Sequence, residues 1–278
     1  MANSPKIALG LSGVRARERR GARPSLWNWL ASRPLLARCL FIAALLVAWE
    51  AAARLFGDPL FVAPPTAVAW AAPKLLATQG LPFALLTTAW ELLLAFSISL
   101  FFGFWIGLTL GRSSFANRAF MPIVVMLYAL PQITLIPIFM MGFGIGPASK
   151  VAYGVSHGVF PVILTIAAGM RNLKPVLLAS SKSMGASDWK IMRHVLMPHA
   201  VTSLFSGMRL GMNAALLGVI LAELYASKTG VGYFARKFAV GFDPKMLFGL
   251  IAIVALLAVL MNESLRRVEI RMNRWRSA

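Results

Sequence analysis

Long uninterrupted apolar runs constrain this sequence more than any other feature. About 20 consecutive apolar residues are enough to cross the hydrocarbon core of a bilayer as a helix. Six windows meet that length: Leu35–Phe56, Phe83–Gly111, Arg118–Phe143, Pro147–Arg171, Val201–Ala226 and Lys245–Leu265. None of them shows the alternation of polar and apolar residues that is typical of membrane β-barrels. The sequence therefore predicts an all-α integral membrane protein with six transmembrane helices.

The composition supports this fold class and excludes an ordinary soluble enzyme. Of the 278 residues, 59% are hydrophobic and only 13% are charged, whereas soluble domains are nearer half apolar and a quarter charged. The first apolar run begins only at Leu35, much later than the apolar region of a cleavable signal peptide. We therefore expect it to remain in the membrane. The single cysteine, Cys39, lies in that run and allows no internal disulfide.

The basic residues indicate how the spans are oriented. Lys and Arg number 28 against 9 Asp and Glu, for a net charge of +19. If the termini are cytoplasmic, 20 of the 28 lie on the inner side and Arg209 lies within a span. The seven on the outer side are Arg54, Lys74, Lys150, Lys228, Arg236, Lys237 and Lys245. Because cytoplasmic segments of membrane proteins collect Lys and Arg, we predict cytoplasmic termini and no nucleic-acid partner.

The same map divides the chain into three parts. A basic cytoplasmic tail covers residues 1–34, a transmembrane domain covers residues 35–265, and a second basic cytoplasmic tail covers residues 266–278. Within the transmembrane domain, the cytoplasmic segment 172–200 joins the fourth and fifth spans. It is the most informative connection in the chain.

Segment 172–200 has the pattern of two short helices. Pro175 suits the first turn of a helix that runs to Met184, and Gly185 suits its C-terminal cap. Ser187 or Asp188 suits the N-cap of a second helix, and Pro198 is expected to end it. One face of that helix carries Trp189, Met192, Val195 and Leu196. The residues alone leave two interpretations open, a linker resting on lipid or on the bundle, and a docking surface for a cytoplasmic partner.

This segment resembles the signature loop of binding-protein-dependent ABC transporter permeases. That signature begins with Glu-Ala-Ala, continues to a Gly, and ends with Ile or Val followed shortly by Pro. Here Ala179-Ser180-Ser181-Lys182-Ser183-Met184-Gly185 and Val195-Leu196-Met197-Pro198 occupy these positions. Ala179 replaces the Glu, whereas Gly185 and Pro198 are in place. The resemblance implies docking on an ATPase subunit through Ala179, Ser183, Gly185, Ala186, Asp188, Trp189, Val195 and Pro198.

Three further strings are similar to the nitrate, sulfonate and taurine branch of that family. They are Phe61-Val62-Ala63-Pro64-Pro65-Thr66-Ala67-Val68, the stretch from Pro131 to Lys150, and Ala222-Glu223 followed by Gly230-Val231-Gly232-Tyr233. The resemblance implies a type I ABC importer permease in a bacterial inner membrane, working as a homodimer. It also implies two copies of an ATPase subunit and a periplasmic or surface-anchored solute-binding protein. The expected solute is nitrate, a sulfonate, taurine or a thiamine precursor.

The chain lacks the sequence motifs of P-loop ATPases, zinc proteases and serine hydrolases. No Gly-x-x-x-x-Gly-Lys-Ser/Thr occurs, so ATP hydrolysis is expected on a separate subunit. No His-Glu-x-x-His or Gly-x-Ser-x-Gly occurs either, and His157, His194 and His199 are widely spaced. An intramembrane enzyme is therefore the third and least supported interpretation, and we expect no catalytic residue, metal ligand or cofactor site in this chain.

Ionisable residues within the predicted spans are the remaining candidates for function. A charged side chain near the bilayer centre costs about 2.5–3.5 kcal/mol on insertion scales, so Glu91, His157, Arg209 and Glu223 each need a reason. They line a translocation pathway, or they form buried structural pairs or reach the interface with a long side chain. An ion- or proton-coupled carrier that uses Glu91, His157 and Arg209 is the alternative to an ATP-driven importer.

Overall fold

The structure is a computed structural model that describes residues 33–273. The predicted N-terminal tail lies outside the described residues except for its last two, and so does the end of the C-terminal tail beyond Asn273. The chain divides into two compact units between Ala51 and Ala52. Helix α1 (Pro34–Leu55) begins in the first unit and is long and apolar enough to cross a membrane.

The second unit is helical, and the described residues contain no β-strand. Its helices are α2 (Pro65–Leu76), α3 (Leu81–Arg112), α4 (Ser114–Ala129), α5 (Ile136–Phe143), α6 (Pro147–Arg171), α7 (Pro175–Ser183), α8 (Asp188–Ile191), α9 (Met197–Ala226), α10 (Val231–Val240) and α11 (Pro244–Asn273). With α1, the described helices include five that could span a membrane, or six if the bent pair α4–α5 counts as one span. The predicted all-α membrane fold is confirmed.

The third predicted span, Arg118–Phe143, is not one straight helix. Helix α4 ends before Leu130, a turn of 3₁₀-helix covers Gln132–Leu135, and α5 follows with a bend of 84° across the break. The residue before a proline is disfavoured in the helical region. Leu130, which precedes Pro131, accordingly has extended backbone angles, with φ −62° and ψ 141°. The proline therefore accounts for the place of the break.

Helix α6 packs closely against α3 along a stripe of small residues. Ala95, Ser99, Gly103, Gly107 and Gly111 recur every fourth position of α3. A Cβ on Gly103 would lie 2.7 Å from the Cβ atom of Val162, and a Cβ on Gly111 would lie 2.5 Å from that of Met170. Small residues at this spacing let helix backbones approach closely in a membrane. The register shows that α3 and α6 run parallel.

Helix α9 packs antiparallel to α6, again through small residues. A Cβ on Gly154 would lie 2.7 Å from Val219 Cγ2, and a Cβ on Gly211 would lie 2.5 Å from Val162 Cγ2. The two helices therefore approach closely at Gly154, Gly158 and Gly211. At Gly207 the nearest atoms lie 3.6 Å away, an ordinary contact distance.

The directions of these three helices define two ends of the bundle. The loop end contains Arg112, Arg171 and Met197, together with the segment Pro175–Pro198 between α6 and α9. The turn end contains Leu81 and Pro147, together with the short connection Ser227–Gly230 between α9 and α10. The predicted docking residues lie at the loop end, and Glu91 and Glu223 lie nearer the turn end.

Candidate functional site

The first candidate site is the segment Pro175–Pro198, whose first helix ends in a glycine cap. The Gly185 N–H donates to the carbonyl of Lys182 at 2.9 Å, and the Ala186 N–H donates to that of Ser181 at 3.0 Å. This pair of bonds is the Schellman motif, which requires a left-handed residue at its turn. Gly185 has φ +71° and supplies that conformation. The predicted C-cap role of Gly185 is confirmed.

The second helix of the segment begins as expected but does not end at Pro198. The Ser187 hydroxyl accepts from the Lys190 N–H at 3.4 Å and caps α8. Beyond α8, a turn of π-helix covers Met192–Leu196, and α9 continues from Met197. Because proline lacks an N–H and its ring crowds the carbonyl four residues earlier, the wider π-turn accommodates Pro198. The predicted helix end at Pro198 is therefore wrong.

The segment packs on the bundle through one face and leaves another uncovered. Ile191 and Leu196 are buried with Leu108 and Met170, and Leu178 packs against the same cluster. Trp189, predicted on the apolar face of this helix, is instead 71% exposed. Of the predicted docking residues, Ala179, Ser183, Gly185, Asp188 and Trp189 are exposed, and Ala186, Val195 and Pro198 are half-buried. Three further apolar side chains of the segment are exposed: Val176, Leu177 and Met184.

The second candidate site is a buried polar cluster nearer the turn end, formed by Thr88, Glu91, Lys150, Glu223 and Ser227. Lys150, in the first turn of α6, forms an ion pair with Glu91 of α3. Their side chains are only 6% and 1% exposed. Lys150 Nζ also lies 3.3 Å from the Ser227 hydroxyl, just past the end of α9. The sequence places Lys150 among the outer loops, whereas the structure buries it within the bundle.

Glu223, the most fully buried of the predicted polar residues, caps helix α10. Its carboxylate accepts from the Thr88 hydroxyl at 2.7 Å and from the Gly232 N–H at 2.8 Å. The same hydroxyl accepts from the Val231 N–H at 2.9 Å. The first N–H groups of a helix have no partner within the helix. Thr88 and Glu223 satisfy two of them and so attach α10 to α3 and α9.

The glycines of the Gly230-Val231-Gly232 string allow this attachment. A Cβ on Gly230 would lie 2.1 Å from a carboxylate oxygen of Glu223, and one on Gly232 would lie 2.5 Å from the Ile220 carbonyl oxygen. Gly230 also has φ +100°, which favours glycine. The string is therefore explained by the close approach of the α10 N-terminus to Glu223.

The structure does not bring the other polar candidates together. Arg209 of α9 pairs with Glu269 of α11 at 3.1 Å, towards the loop end. His157 lies in α6, where its Nδ1 is 3.2 Å from the Tyr153 carbonyl oxygen. The carrier hypothesis requires Glu91, His157 and Arg209 to act together, and this geometry does not favour it.

Two members of the polar cluster, Thr88 and Ser227, are not named by the sequence patterns above, and Lys150 is predicted there only as a residue of the outer side. Thr88 and Glu91 are three residues apart, a spacing that places both on one side of a helix, and this signal could have identified Thr88. Nothing in the sequence indicates that Lys150 pairs with Glu91. Among the described residues, no group of three or more His, Cys, Asp and Glu side chains is placed to hold a metal ion.

Comparison with known proteins places these features in a family context. The chain is 27% identical to the Taurine transport system permease protein TauC of Escherichia coli (strain K12), over 93% of this chain and 96% of that protein. It is also 27% identical to the Formylaminopyrimidine transport permease protein ThiX of Halalkalibacterium halodurans, over 85% and 94% of the two chains. A Putative aliphatic sulfonates transport permease protein SsuC of Escherichia coli (strain K12) is 28% identical over 69% of this chain and 73% of its own length.

The fold has a counterpart among solved structures. A chain of the MetNI methionine ABC transporter, in an inward-facing conformation, superposes with a TM-score of 0.61 at 20% identity. The match covers 71% of this chain and all of that one. Residues 99–274 match the family described as "Binding-protein-dependent transport system inner membrane component". The chain therefore belongs to this family, as a multi-pass membrane permease of an ABC importer whose ATPase is a separate subunit.

Proposed function

We propose that Pro175–Pro198 is the segment through which this permease docks on its ATPase subunit. The observation that carries the proposal is the exposed apolar group on α7 and its cap, Val176, Leu177 and Met184. Exposed apolar side chains on a short helix are typical of helix-in-groove recognition. The buried Ile191 and Leu196 hold the base of the segment on the bundle, which leaves this group free to enter a groove.

The position of the segment suits the transmission of motion. It joins the loop ends of α6 and α9, which pack against each other along their length through Gly154, Gly158 and Gly211. A displacement of α7 by the ATPase would therefore act on both core helices together. In this mechanism the permease makes no chemical step, and ATP binding shifts the balance between two conformations of the bundle.

Replacement of Gly185 tests the docking role. Glycine is needed there for its left-handed φ of +71°, and a Cβ at this position would meet no atom within 4 Å. Gly185→Val should therefore act through backbone strain of about 1–2 kcal/mol rather than through a clash. We expect Gly185→Val to lower solute uptake and solute-stimulated ATPase activity at least tenfold in the reconstituted transporter, with normal membrane insertion.

Gly185→Asn is the matched control, because Asn tolerates the left-handed region. It should retain at least half of the uptake and of the stimulated ATPase rate. Normal uptake and normal stimulated ATPase activity in the Gly185→Val variant would contradict the docking role.

We infer that the working transporter contains two copies of this permease, two ATPase subunits and an extracytoplasmic solute-binding protein. The loop end would then face the cytoplasm, with both termini on that side of the inner membrane. The distribution of Lys and Arg supports this orientation, because 20 of the 28 lie on the inner side of the six-span map. The family description, which names binding-protein-dependent transport, supports the outer partner.

The solute that we propose is a small polar molecule, either a sulfonate such as taurine or a thiamine precursor. The names of the relatives support these classes, since they include permeases for taurine, formylaminopyrimidine and aliphatic sulfonates. Thermal unfolding of the cognate binding protein with taurine, methanesulfonate, nitrate, formylaminopyrimidine and riboflavin tests the proposal. A ligand at 100 times its Kd stabilises by about 2.7 kcal/mol, which is readily measured. Stabilisation by riboflavin alone, by nitrate alone, or by none of the five would contradict it.

A further inference from the structure

Two neighbouring cavities open at the loop end, between α3 and the segment Pro175–Pro198. The larger has a volume of about 570 Å³ and is lined by side chains of α3, α8, the π-turn and the first residue of α9. Its apolar lining consists of Trp105, Trp189, Met192 and Met197. The smaller has a volume of about 200 Å³ and shares Arg112 and Asp188 with the larger. Together they form a groove, here called the Arg112 groove.

The Arg112 groove carries an excess of positive charge. Arg112 and Arg193 line the larger cavity, Lys182 lines the smaller one, and Asp188 is the one acidic residue lining either. Within residues 33–273, no hydrogen bond or ion pair joins any of these four side chains to another residue. Arg112 and Asp188 line both cavities without pairing. The two guanidinium groups are therefore available to an anionic ligand.

The apolar part of the groove has the character of a membrane interface. Trp105 is 48% exposed and Trp189 is 71% exposed, although both are large apolar side chains. Tryptophan is enriched where the hydrocarbon meets the headgroups. Arg112 is the last residue of α3, a helix long and apolar enough to span the membrane. Arg112 therefore lies where α3 is expected to leave the hydrocarbon, and Trp105 lies about two turns earlier in the same helix.

We propose that the Arg112 groove binds an anionic phospholipid of the cytoplasmic leaflet. The phosphate lies between Arg112 and Arg193, and an acyl chain packs against Trp105, Trp189 and the methionines. Asp188 and Trp189, two of the expected docking residues, then face the lipid, and the ATPase docks through Val176, Leu177 and Met184. Basic pockets between helices on the cytoplasmic side suit anionic headgroups. The choice of leaflet depends on the orientation proposed above. A lipid in this place joins α3 to the base of the docking segment, so the lipid composition of the membrane affects how firmly that segment is held.

Fluorescence quenching by brominated phosphatidylglycerol tests the proposal on the full-length permease in detergent. Bromine atoms quench tryptophan at short range, so binding in the groove should quench Trp105 and Trp189 saturably. Trp105→Phe/Trp189→Phe should remove that saturable part, which assigns the signal to the groove. Brominated phosphatidylcholine, which has the same acyl chains and no net charge, should bind at least tenfold more weakly.

Charge variants give the expected size and sign of the effect. A basic residue near an anionic lipid contributes about 1 kcal/mol, equivalent to about a fivefold change in Kd. Arg112→Gln/Arg193→Gln should therefore raise the Kd for phosphatidylglycerol about 25-fold. Asp188→Asn should lower it about fivefold, because it removes the acidic neighbour. Arg118→Gln is the matched control, since Arg118 is exposed in α4 and lines neither cavity, and it should leave the Kd within twofold.

Three outcomes would overturn the proposal. They are equal affinity for the two lipids, an unchanged Kd in the double arginine variant, and displacement of the lipid by millimolar inorganic phosphate. A fourth outcome, release of the lipid when the ATPase subunit is added, would also overturn it and would assign the groove to the ATPase. Co-purification of the ATPase with Arg112→Gln/Arg193→Gln is measured separately. If the double arginine variant keeps the ATPase but loses the lipid, the result supports the lipid site. If only Gly185→Val loses the ATPase, the result concerns the docking role and not the lipid site.

Discussion

At the scale of single residues, Lys150 shows how burial changes the role of a charge. From the sequence it is one of seven basic residues on the outer side. In the structure its ammonium pairs with Glu91 within the bundle, and both side chains are almost fully buried. Removing one member of a buried ion pair leaves the other charge without compensation, whereas removing both can be nearly neutral. This asymmetry makes the pair testable.

We expect Lys150→Met to destabilise the permease strongly. It leaves the Glu91 carboxylate buried and without its ammonium partner, a change that typically costs about 3–5 kcal/mol. The thermal unfolding temperature of the detergent-solubilised protein should fall, and the amount of folded protein in the membrane should fall with it.

The double variant Lys150→Met/Glu91→Leu is the control for that prediction. It replaces both charges with apolar side chains, and its stability should return to within about 1–2 kcal/mol of the natural sequence. If the single and double variants lose the same stability, the ion pair does not explain the burial of these side chains.

At the scale of helices, two glycines of α9 that share one sequence motif differ in how closely they approach α6. Gly207 and Gly211 form a Gly-x-x-x-Gly spacing, which occurs often by chance in apolar helices. Only Gly211 meets its neighbour closely, since a Cβ there would lie 2.5 Å from Val162 Cγ2 and 3.1 Å from the Gly158 carbonyl oxygen. Gly207 has room for a methyl group, with its nearest atoms at 3.6 Å.

We therefore predict opposite effects of the same substitution at these two positions. Gly211→Ala should destabilise the permease by about 1–3 kcal/mol, because an extra methyl group in a tight contact pushes the helices apart. Gly207→Ala should be neutral or stabilising by up to about 1 kcal/mol, because alanine is the better helix former. Thermal unfolding of the two variants, compared side by side, checks this. Equal losses in both would show that the contact at Gly211 is not the closer one.

The two irregular helices show what proline does and does not reveal in a sequence. Pro131 marks the break between α4 and α5, and the backbone at Leu130 explains it. The same reasoning predicts a helix end at Pro198, yet the helix continues through a π-turn at Met192–Leu196. A proline thus predicts a local departure from the α-helix. Its form depends on whether the neighbouring turn can widen, and the buried Leu196 holds this turn on the bundle.

At the scale of the whole molecule, α3, α6 and α9 form a core that links the two candidate sites. The loop end of α6 and α9 carries the proposed docking segment, and the turn end carries the cluster of Glu91, Lys150 and Glu223. That cluster attaches α10 to the core through Thr88 and Glu223. A displacement of the docking segment is therefore expected to reach α10 through helices that are tightly packed along their length.

Much of the fold follows from local sequence patterns. Run length predicts the membrane helices, and Pro175 and Gly185 predict the ends of α7. The orientation that the distribution of Lys and Arg indicates stays a prediction. Each of these features depends on one segment and its surroundings, so it can be predicted from the sequence alone. The signature of the loop is sufficient to suggest the family, which the match over residues 99–274 confirms.

Only the tertiary structure decided which polar residues meet. The sequence by itself determined that Glu91, His157, Arg209 and Glu223 lie within apolar segments, since this depends on their neighbours along the chain. The structure paired Glu91 with Lys150, Arg209 with Glu269, and Glu223 with the start of α10. Every one of these partners lies on another helix. Their choice depends on the register between helices, which no single segment encodes. For Glu91 and Lys150, the packing of small residues between α3 and α6 determines that register.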